Sequence, residues 1–495
     1  MRKWVLLALV SGGVHAAVIR GTVIENQTGR PLARTVITLE PVPGTAGDSS
    51  SGRTNLYGVF EFSALAPGSY VITASRPGFA PVQYGQKHWK AAGMPVVAET
   101  GGSANLIIRL PRLGAITGTV FDENEVGLGD HDVVAYRTAR PLQVAARART
   151  DDRGRYRLSG LEPGRYFVRT AARQFEDTGY LPTFHRDTLR LDDAAAVDVD
   201  LDRDTLDINL HPIGGRLVTL SGQVVPPVAL NVTLVSDTGA ENTMSDATGN
   251  FRFRPAAPGR YELYAQAAPD PRTGVQAAYQ PLLLDRDRSD IRLNLRSLPQ
   301  VHFVFQDLQG KPVDYHAIHV LARRKDLSGT GRTQVLELSA DRLAFLPGRW
   351  DLALETPGYF ISSLSGPRLQ YANTARTDGW NELLINGNID PLQFVLSATP
   401  GSVRGTVLRG GRAPAAGAPV YLEAVDPAAH RLLRDVQVTR ADTHGQYRFD
   451  NLAPGSYLVL SSFDLEPPDA ASDIHGAKTL KVEESREVVQ DLDLL

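Results

Sequence analysis

Short stretches in which apolar and polar residues alternate recur along the whole chain. The opening stretch of each repeat reads Ile19, Gly21 and Val23, then Ile116, Gly118 and Val120, then Leu220, Gly222 and Val224, and finally Val403, Gly405 and Val407. A period of two residues indicates a strand with one buried face. A glycine inside such a strand indicates that another backbone comes close. No long segment has the period of a helix, so the pattern predicts an all-β protein.

A Pro-Gly-x-aromatic motif recurs five times, roughly one sandwich domain (~100 residues) apart. The motifs end at Tyr70, Tyr166, Tyr261, Trp350 and Tyr457. Repeats of this size predict tandem domains, because solenoid repeats are much shorter. The tyrosine after Pro-Gly is expected to start a late strand, with its ring in the core and its hydroxyl bonded back to a loop, as in a tyrosine corner.

A second motif, an Asp or Asn three residues before a glycine, precedes the first. It occurs at Asn55, Asp151, Asp246 and Asp442, followed by Gly58, Gly154, Gly249 and Gly445. The acidic or amide side chain predicts a capped tight turn, and the glycine permits the positive φ. In the fourth repeat Asp341 keeps the strand that follows but has no such glycine, and Phe303 replaces the opening glycine. The fourth repeat is therefore the most diverged.

Each repeat closes with another alternating stretch, at 106–110, 206–210, 291–295, 392–396 and 488–494, and a proline follows at each junction. About seven short strands per repeat predict an array of five immunoglobulin-like antiparallel β-sandwich domains. Their expected bounds are 17–112, 113–213, 214–298, 299–399 and 400–495. The links are short and not rich in Gly or Ser, so they favour a semi-rigid rod.

The chain has 495 residues, a formal net charge of −3 and no cysteine. This length exceeds what one core supports, and the charge offers no basic field for nucleic acid. Residues 1–16 are expected to be a signal peptide: Arg2 and Lys3 precede a short apolar run, which ends in the small-residue pattern at Val14 and Ala16. We therefore expect a secreted or periplasmic protein, or one at the cell surface, that is a monomer with no integral membrane segment and no lipid-anchor cysteine.

The three motifs together resemble the carboxypeptidase regulatory-like domain, most closely in repeats one, two and five, where Leu65, Leu161 and Leu452 complete the pattern. The resemblance implies a prealbumin-like sandwich, also grouped with the carbohydrate-binding-like fold, and export from a bacterium. It implies little about activity, since function resides in sites placed on folds.

No catalytic, cofactor or metal residue is expected. A zinc peptidase needs a His-x-x-Glu pair with a distant third ligand, and no histidine supplies it; His316 and His319 lie three apart on a strand and would face opposite ways. The acidic run 192–207 alternates with apolar residues, which favours a charged edge strand over a calcium loop. We therefore expect a protein that is not an enzyme.

Aromatic residues in the loops after the Pro-Gly-aromatic strand are the candidate contacts for a ligand or partner: Tyr84, Trp89, Tyr180, Phe184, Tyr371 and Trp380. Flat rings beside polar groups suit sugars or protein partners. The alternative is that these rings close the ends of the sandwiches or fill contacts between them. Two functions stay open: an envelope scaffold that docks a protein or glycan, and an array that binds carbohydrate or peptide through these rings.

Overall fold

The computed structural model describes residues 17–138, 142–175, 178–268, 274–314, 316, 318–325, 334–338, 341–366, 369–370, 379–425, 436–465 and 476–495. The expected signal peptide, residues 1–16, and Tyr371 lie outside these ranges. Nearly all regular structure in the described residues is β-strand, and the one helical turn there is a 3-10 turn at Leu191–Asp193. The predicted all-β class is confirmed.

The first two pairs of sheets form module 1 and module 2. In module 1, β4-β1-β8 packs on β3-β2-β5-β6, with β7 also on β5; in module 2, β12-β9-β17 packs on β11-β10-β13-β16, with a small β14-β15 hairpin. The strands are β1 (Ala17–Glu25), β2 (Val36–Pro41), β3 (Ser50–Arg53), β4 (Val59–Leu65), β5 (Gly68–Ser75), β6 (Val82–Gln83), β7 (Val96–Ala98), β8 (Ser103–Leu110), β9 (Gly114–Thr119), β10 (Asp132–Arg137), β11 (Gln143–Arg149), β12 (Arg155–Leu161), β13 (Gly164–Thr170), β14 (Arg173–Gln174), β15 (Gly179–Tyr180), β16 (Val197–Val199) and β17 (Asp204–Thr205).

The next two pairs form module 3 and module 4. Module 3 has sheets β21-β18-β24 and β20-β19-β22-β23-β25, and module 4 has β29-β26-β34-β31 and β28-β27-β30-β33-β32. The strands are β18 (Leu220–Val225), β19 (Asn231–Ser236), β20 (Gly239–Met244), β21 (Asn250–Arg252), β22 (Gly259–Gln266), β23 (Gln276–Leu284), β24 (Arg288–Asn294), β25 (Arg296–Ser297), β26 (Gln300–Asp307), β27 (His319–Arg324), β28 (Gln334–Glu337), β29 (Arg342–Ala344), β30 (Gly348–Glu355), β31 (Phe360–Ser365), β32 (Leu369–Gln370), β33 (Asn381–Ile385) and β34 (Ile389–Ser397).

The last pair forms module 5. In its first sheet β35 lies between β39 and the short strands β42 and β43, with β36 beside it, and its second sheet runs β38-β37-β40-β41. Each of the five modules has its own cluster of buried apolar side chains between its two sheets. The strands are β35 (Gly401–Arg409), β36 (Ala413–Pro414), β37 (Pro419–Val425), β38 (Gln437–Arg440), β39 (Gln446–Leu452), β40 (Gly455–Ser461), β41 (Lys478–Val482), β42 (Glu487–Val489) and β43 (Leu492–Asp493).

The first strand of each module pairs in parallel with the closing strand, within sheets that are otherwise antiparallel. In module 3 the closing strand is β24, and the two-residue β25 that follows it pairs with β23. In modules 2 and 5 the last strand is interrupted: β17 ends at Thr205, and Asp207 takes a φ of 60°. Backbone bonds still continue the pairing, since Ile208 N donates to Thr117 O over 3.0 Å. The alternation of the sequence indicates which faces are buried, but it does not reveal this parallel pairing.

The glycine of the opening strand lies where the sequence predicts a close backbone. A Cβ at Gly405 would lie 1.9 Å from the carbonyl oxygen of Gln490, and one at Gly118 would lie 2.0 Å from that of Ile208. The tyrosine of the neighbouring strand also crosses this position: the Tyr447 hydroxyl donates to Gln490 O over 2.6 Å. A side chain at the glycine would separate the first strand from the last.

The predicted tyrosine corner is present in modules 1, 2, 3 and 5, and in module 4 the indole N–H of Trp350 makes the equivalent bond, which the sequence did not predict. Each ring donates a hydrogen bond to the carbonyl oxygen four residues earlier; these bonds are Tyr70 to Ala66, Tyr166 to Glu162, Tyr261 to Ala257 and Tyr457 to Ala453, each 2.7 Å, and Trp350 to Leu346 at 2.9 Å. The bond satisfies the polar atom of a largely buried ring, which would otherwise cost stability.

The predicted capped turns are also present. The Asp151 side chain accepts from the backbone N–H groups of Arg153 at 2.9 Å and Arg155 at 2.8 Å, and Gly154 has a φ of 74°. The two backbone bonds lower the pKa of Asp151, because they stabilise the carboxylate. Asn55, Asp246 and Asp442 cap their turns in the same way.

A polar side chain from the turn before each closing strand accepts a hydrogen bond close to a junction. At the first and fourth junctions this bond reaches the preceding module, and in modules 3 and 4 it stays within the module. Asp202 accepts from Arg112 N at 2.6 Å, Asp287 from Thr219 N at 2.7 Å, and Asn388 from Gln300 N at 2.9 Å. At the fourth junction Glu484 accepts from the Ser397 hydroxyl at 2.7 Å. The short links are therefore held in place. Asp202, which the sequence places on a charged edge, is one of the residues that hold them.

The expected rod is wrong, because module 5 packs back onto module 1. Ala92 and Met94 of module 1 pack against the core cluster of module 5. Thr443 N donates to Pro43 O over 3.0 Å, and Lys87 forms a 2.8 Å ion pair with Asp464. Stiff links do not require a straight array, since the angle fixed at each junction decides its course.

Candidate ligand-binding cleft

A cleft of about 430 Å³ lies where modules 1, 2 and 5 meet. This volume falls in the range of small-molecule sites, ~300–1,000 Å³. We call it the three-module cleft, and its lining consists of Thr73, Pro81, Gln83, Gln86, Trp89, Lys90, Ala91, Ala92, Glu162, Pro419, Tyr421, Val438 and Arg440.

Trp89, a residue singled out in the sequence, lines this cleft from the loop between β6 and β7. Two glutamines hold the loop: Gln86 Oε1 accepts from Gln83 N at 3.0 Å, and Gln83 Oε1 accepts from Gly93 N at 2.7 Å. The buried indole Nε1–H of Trp89 has no acceptor among the described residues. The cleft therefore contains a half-buried ring with an unused donor.

Module 5 contributes Tyr421 and Arg440 to the opposite side. Tyr421 is 2% exposed, and burial raises the pKa of its hydroxyl and lowers the pKa of the Arg440 guanidinium. Arg440 donates to Gly417 O at 2.9 Å and to Gln83 Oε1 at 3.1 Å. Both side chains are held in fixed positions, so the polar side of the cleft is preorganised.

Module 2 contributes Glu162, the one acidic residue of the lining. Its carboxylate is 2.5 Å from Arg137 and 3.7 Å from Lys90. Hydrolysis of glycosides by the usual mechanism needs two carboxylates that flank the bond. The lining offers one, and that one is paired, so its geometry suits binding and lacks that catalytic pair.

Tyr84, a second candidate from the same stretch of module 1, does not line the cleft. Its backbone N–H donates to Ile72 O over 2.8 Å, extending the sheet, and its ring packs against the core of module 1. Phe184 is 2% exposed in a small cluster of module 2, and the Arg169 guanidinium lies 5.0 Å from its ring centroid. Neither ring lines the three-module cleft, and Phe184 lines a second cavity, between modules 2 and 3. That these two rings contact a ligand stays a prediction.

Tyr180 and Trp380 are half-buried and have partners within their own modules. The Tyr180 hydroxyl donates to Glu123 over 2.7 Å, and burial together with this carboxylate raises its pKa to about 12. Trp380 lies under the Arg323 guanidinium, 4.2 Å from its ring centroid. Neither ring joins the three-module cleft, and Tyr371 lies outside the described residues.

Among the described side chains, no group of three or more His, Asp or Glu residues converges in a way that could hold a metal ion. In the same part of the chain, none of the helical segments has the length and apolarity needed to cross a bilayer.

Sequence reasoning missed Tyr421, Arg440 and Glu162. They lie in modules 2 and 5, far from Trp89 along the chain, and only the return of module 5 onto module 1 brings them together. No local motif encodes that return. The one usable signal was the unusual loop of module 1, rich in Gln and aromatic residues, which supplies both Trp89 and the contact with module 5.

Comparison with known families finds the carboxypeptidase regulatory-like domain twice, at residues 18–110 and 115–203. These matches confirm the resemblance for modules 1 and 2; for module 5 it stays a prediction. The comparison with curated proteins finds no match.

Several solved structures of bacterial proteins show distant similarity. The Bacillus anthracis TIE protein is 12% identical, with 57% of this chain and 50% of that protein covered and a TM-score of 0.19, so the chain spans half of its length. A minor pilin of Streptococcus agalactiae is 14% identical over 40% of this chain and 95% of its own, with a TM-score of 0.25. The RrgB pilus protein of Streptococcus pneumoniae is 8% identical over 95% and 93%, with a TM-score of 0.17. At these values the similarity carries no functional argument.

Proposed function

Since two of its modules are carboxypeptidase regulatory-like domains, we propose that this chain is a non-catalytic binding protein of the bacterial cell envelope that holds a glycan in the three-module cleft. Export is supported by the charged and apolar start of the sequence. A non-catalytic role is supported by the single, paired carboxylate of the cleft.

The main observation in favour of a glycan ligand is the environment of the Trp89 side chain. Saccharide rings stack on aromatic faces and are oriented by a few fixed polar groups. Trp89 has its indole N–H without an acceptor, and Tyr421 and Arg440 line the same cleft from module 5. A sugar hydroxyl can accept from the indole and exchange hydrogen bonds with the tyrosine.

The test is binding of the purified chain to a panel of bacterial and plant polysaccharides, followed by calorimetry on any that bind. Trp89→Ala should weaken affinity at least tenfold, and Trp89→Phe should retain part of it. Trp380→Ala, in module 4, is the matched control and should bind as the native chain does. The glycan proposal would be contradicted if the Trp89→Ala variant binds as tightly as the native chain, or if no polysaccharide of the panel binds.

A second candidate is the docking of an envelope protein, favoured by Leu56 and Tyr57. These adjacent side chains are 78% and 76% exposed at the tip of the first capped turn, where module 2 has Asp152 and Arg153. Exposed adjacent apolar side chains suit a partner contact. A photoreactive residue at position 57 should form a crosslink to one envelope protein, lost when Leu56 is replaced by Ser; a diffuse pattern of crosslinks would argue against docking.

A further inference from the structure

A second cavity, of about 420 Å³, lies between modules 2 and 3. We call it the inter-module cavity. Its walls include apolar side chains from both modules, among them Leu142, Leu191 and Leu283, and the backbone that precedes the corner residue Tyr261. The volume would hold an organic molecule, and is far more than a single inorganic ion would fill.

Arg169 lines this cavity, between the ring of Phe184 and module 3. Its Nη1 donates to the Thr238 hydroxyl over 2.8 Å. Its buried Nε–H has no acceptor among the described residues. Burial lowers the pKa of this guanidinium, while Tyr136, Tyr261 and Asp237 favour its charged form. A buried guanidinium with an unused donor is costly unless an acceptor reaches it.

The remaining charges of the lining fix the charge of a suitable occupant. Arg190 and Arg260 are cationic, and Asp192 and Asp237 are anionic. Arg190 lies 3.5 Å from Asp193 and 4.0 Å from Asp192, so part of its charge is already balanced. With Asp193 counted, the three arginines Arg169, Arg190 and Arg260 are matched by three carboxylates, so the site has no excess positive charge that would attract a polyanion.

We propose that the inter-module cavity binds a small organic monocarboxylate, whose carboxylate pairs with the Arg169 guanidinium while its body packs against the leucines. A planar guanidinium and a carboxylate match in shape and can form two parallel hydrogen bonds. One carboxylate is enough for the buried Arg169 guanidinium with its unused Nε–H, and a polyanion would also face Asp192 and Asp237. This site is separate from the three-module cleft, and the proposal does not depend on the glycan.

The test is calorimetric titration of the full chain with benzoate and with glucuronate, which offer an apolar and a hydroxylated body for the same carboxylate. The neutral partners benzamide and glucose are the matched ligands. At least one of the acids should bind, and its neutral partner should bind at least tenfold more weakly. Inorganic phosphate, which cannot fill the cavity, should also bind more weakly than that acid.

Arg169→Met should weaken binding of the acid at least tenfold. Arg260→Ala should weaken it about threefold, because an exposed charge at the edge of the cavity is screened by solvent and contributes less. Arg109→Ala, an exposed residue of module 1, is the control and should change nothing. If Arg169→Met does not fold, Arg260→Ala and the acid–amide comparison decide. The proposal would be overturned if neither acid binds, or if the neutral partner or phosphate binds as tightly as the acid. It would also be overturned if the Arg169 and Arg260 variants bind the acid as the native chain does.

Discussion

Arg440, near the end of the chain, donates a hydrogen bond to the side-chain carbonyl of Gln83, near its beginning, over 3.1 Å. The same glutamine oxygen accepts from Gly93 N at 2.7 Å, so one side chain both shapes the loop that carries Trp89 and joins it to module 5. The loop, the cleft and the closure of the array thus depend on one set of contacts.

Opening of the array by Met94→Asp is the first prediction. Met94 is partly buried and packs against the core cluster of module 5, and a carboxylate left without a partner there costs about 1–3 kcal/mol or more. The variant should release module 5 from module 1 while each module stays folded. Small-angle scattering should then show a larger radius of gyration than for the native chain.

The control for this experiment is Arg109→Ala, whose side chain is exposed on β8 of module 1. Its scattering curve should match the native one. A native chain that already scatters as an extended rod would contradict the closed arrangement, and so would a Met94→Asp variant of unchanged dimensions that is folded.

Gly405→Ala should destabilise module 5. The added Cβ would lie 1.9 Å from the carbonyl oxygen of Gln490 and 3.0 Å from the Tyr447 ring. Overpacking of this kind typically costs about 1–3 kcal/mol, and here backbone must move. Hydrogen exchange should accelerate in β35 and in residues 487–494. Gly214→Ala, where nothing lies within 4 Å of the new Cβ, should exchange as the native chain does.

Tyr457→Phe should lower the free energy of unfolding of module 5 by about 1–2 kcal/mol, because the Ala453 carbonyl loses its donor in a buried site. The bond is 2.7 Å long, and Tyr457 is 2% exposed. Hydrogen exchange in β40 under mild denaturant measures the change. The matched substitution Tyr57→Phe, at a ring 76% exposed, should not change the free energy of unfolding. A Tyr457→Phe variant as stable as the native chain would show that the corner hydrogen bond does not contribute to stability.

Local features of this fold could be predicted from the sequence because each depends on a few adjacent residues. The capped turn at Asp151 and Gly154 and the corner at Tyr166 are examples, since turn, strand and hydrogen bond all lie within one short segment. The parallel pairing of the first and last strands was not evident. The alternation of apolar and polar residues indicates which face of a strand is buried, but it does not indicate which strand pairs with its edge.

The arrangement of the modules could not be predicted, for a different reason. It depends on single polar side chains such as Asp202 and Glu484, which fix the links and look like ordinary surface residues in the sequence. The candidate site could not be predicted for the same reason, because it forms only where the modules meet. Trp89 was identifiable as an aromatic residue in a long loop, whereas Arg440 resembles any arginine on an edge strand until closure places it beside Gln83.

Module 2 should lose stability between about pH 7 and pH 5 because of His131. The residue is 1% exposed, its Nε2 lies 3.0 Å from Ala171 O, and burial, with Arg173 nearby, lowers its pKa below the ordinary 6.5, against the opposing effects of Ala171 and Asp132. Below about pH 6.5 the imidazole of His131 binds a proton in the unfolded chain but stays neutral in the folded chain until the pH is lower. Stability therefore falls as the pH falls, by at most about 1.4 kcal/mol per pH unit.

Hydrogen exchange of β10 and β13 at pH 7.5 and 5.5, corrected for the intrinsic exchange rate, measures this loss. His131→Gln should be less stable at pH 7.5, because it disturbs a buried position, but its stability should change less between the two pH values. Carboxylates with lowered pKa, such as Asp151, bind protons mainly near and below about pH 4, so they contribute little in this window. An equal loss in both proteins would show that another group carries it.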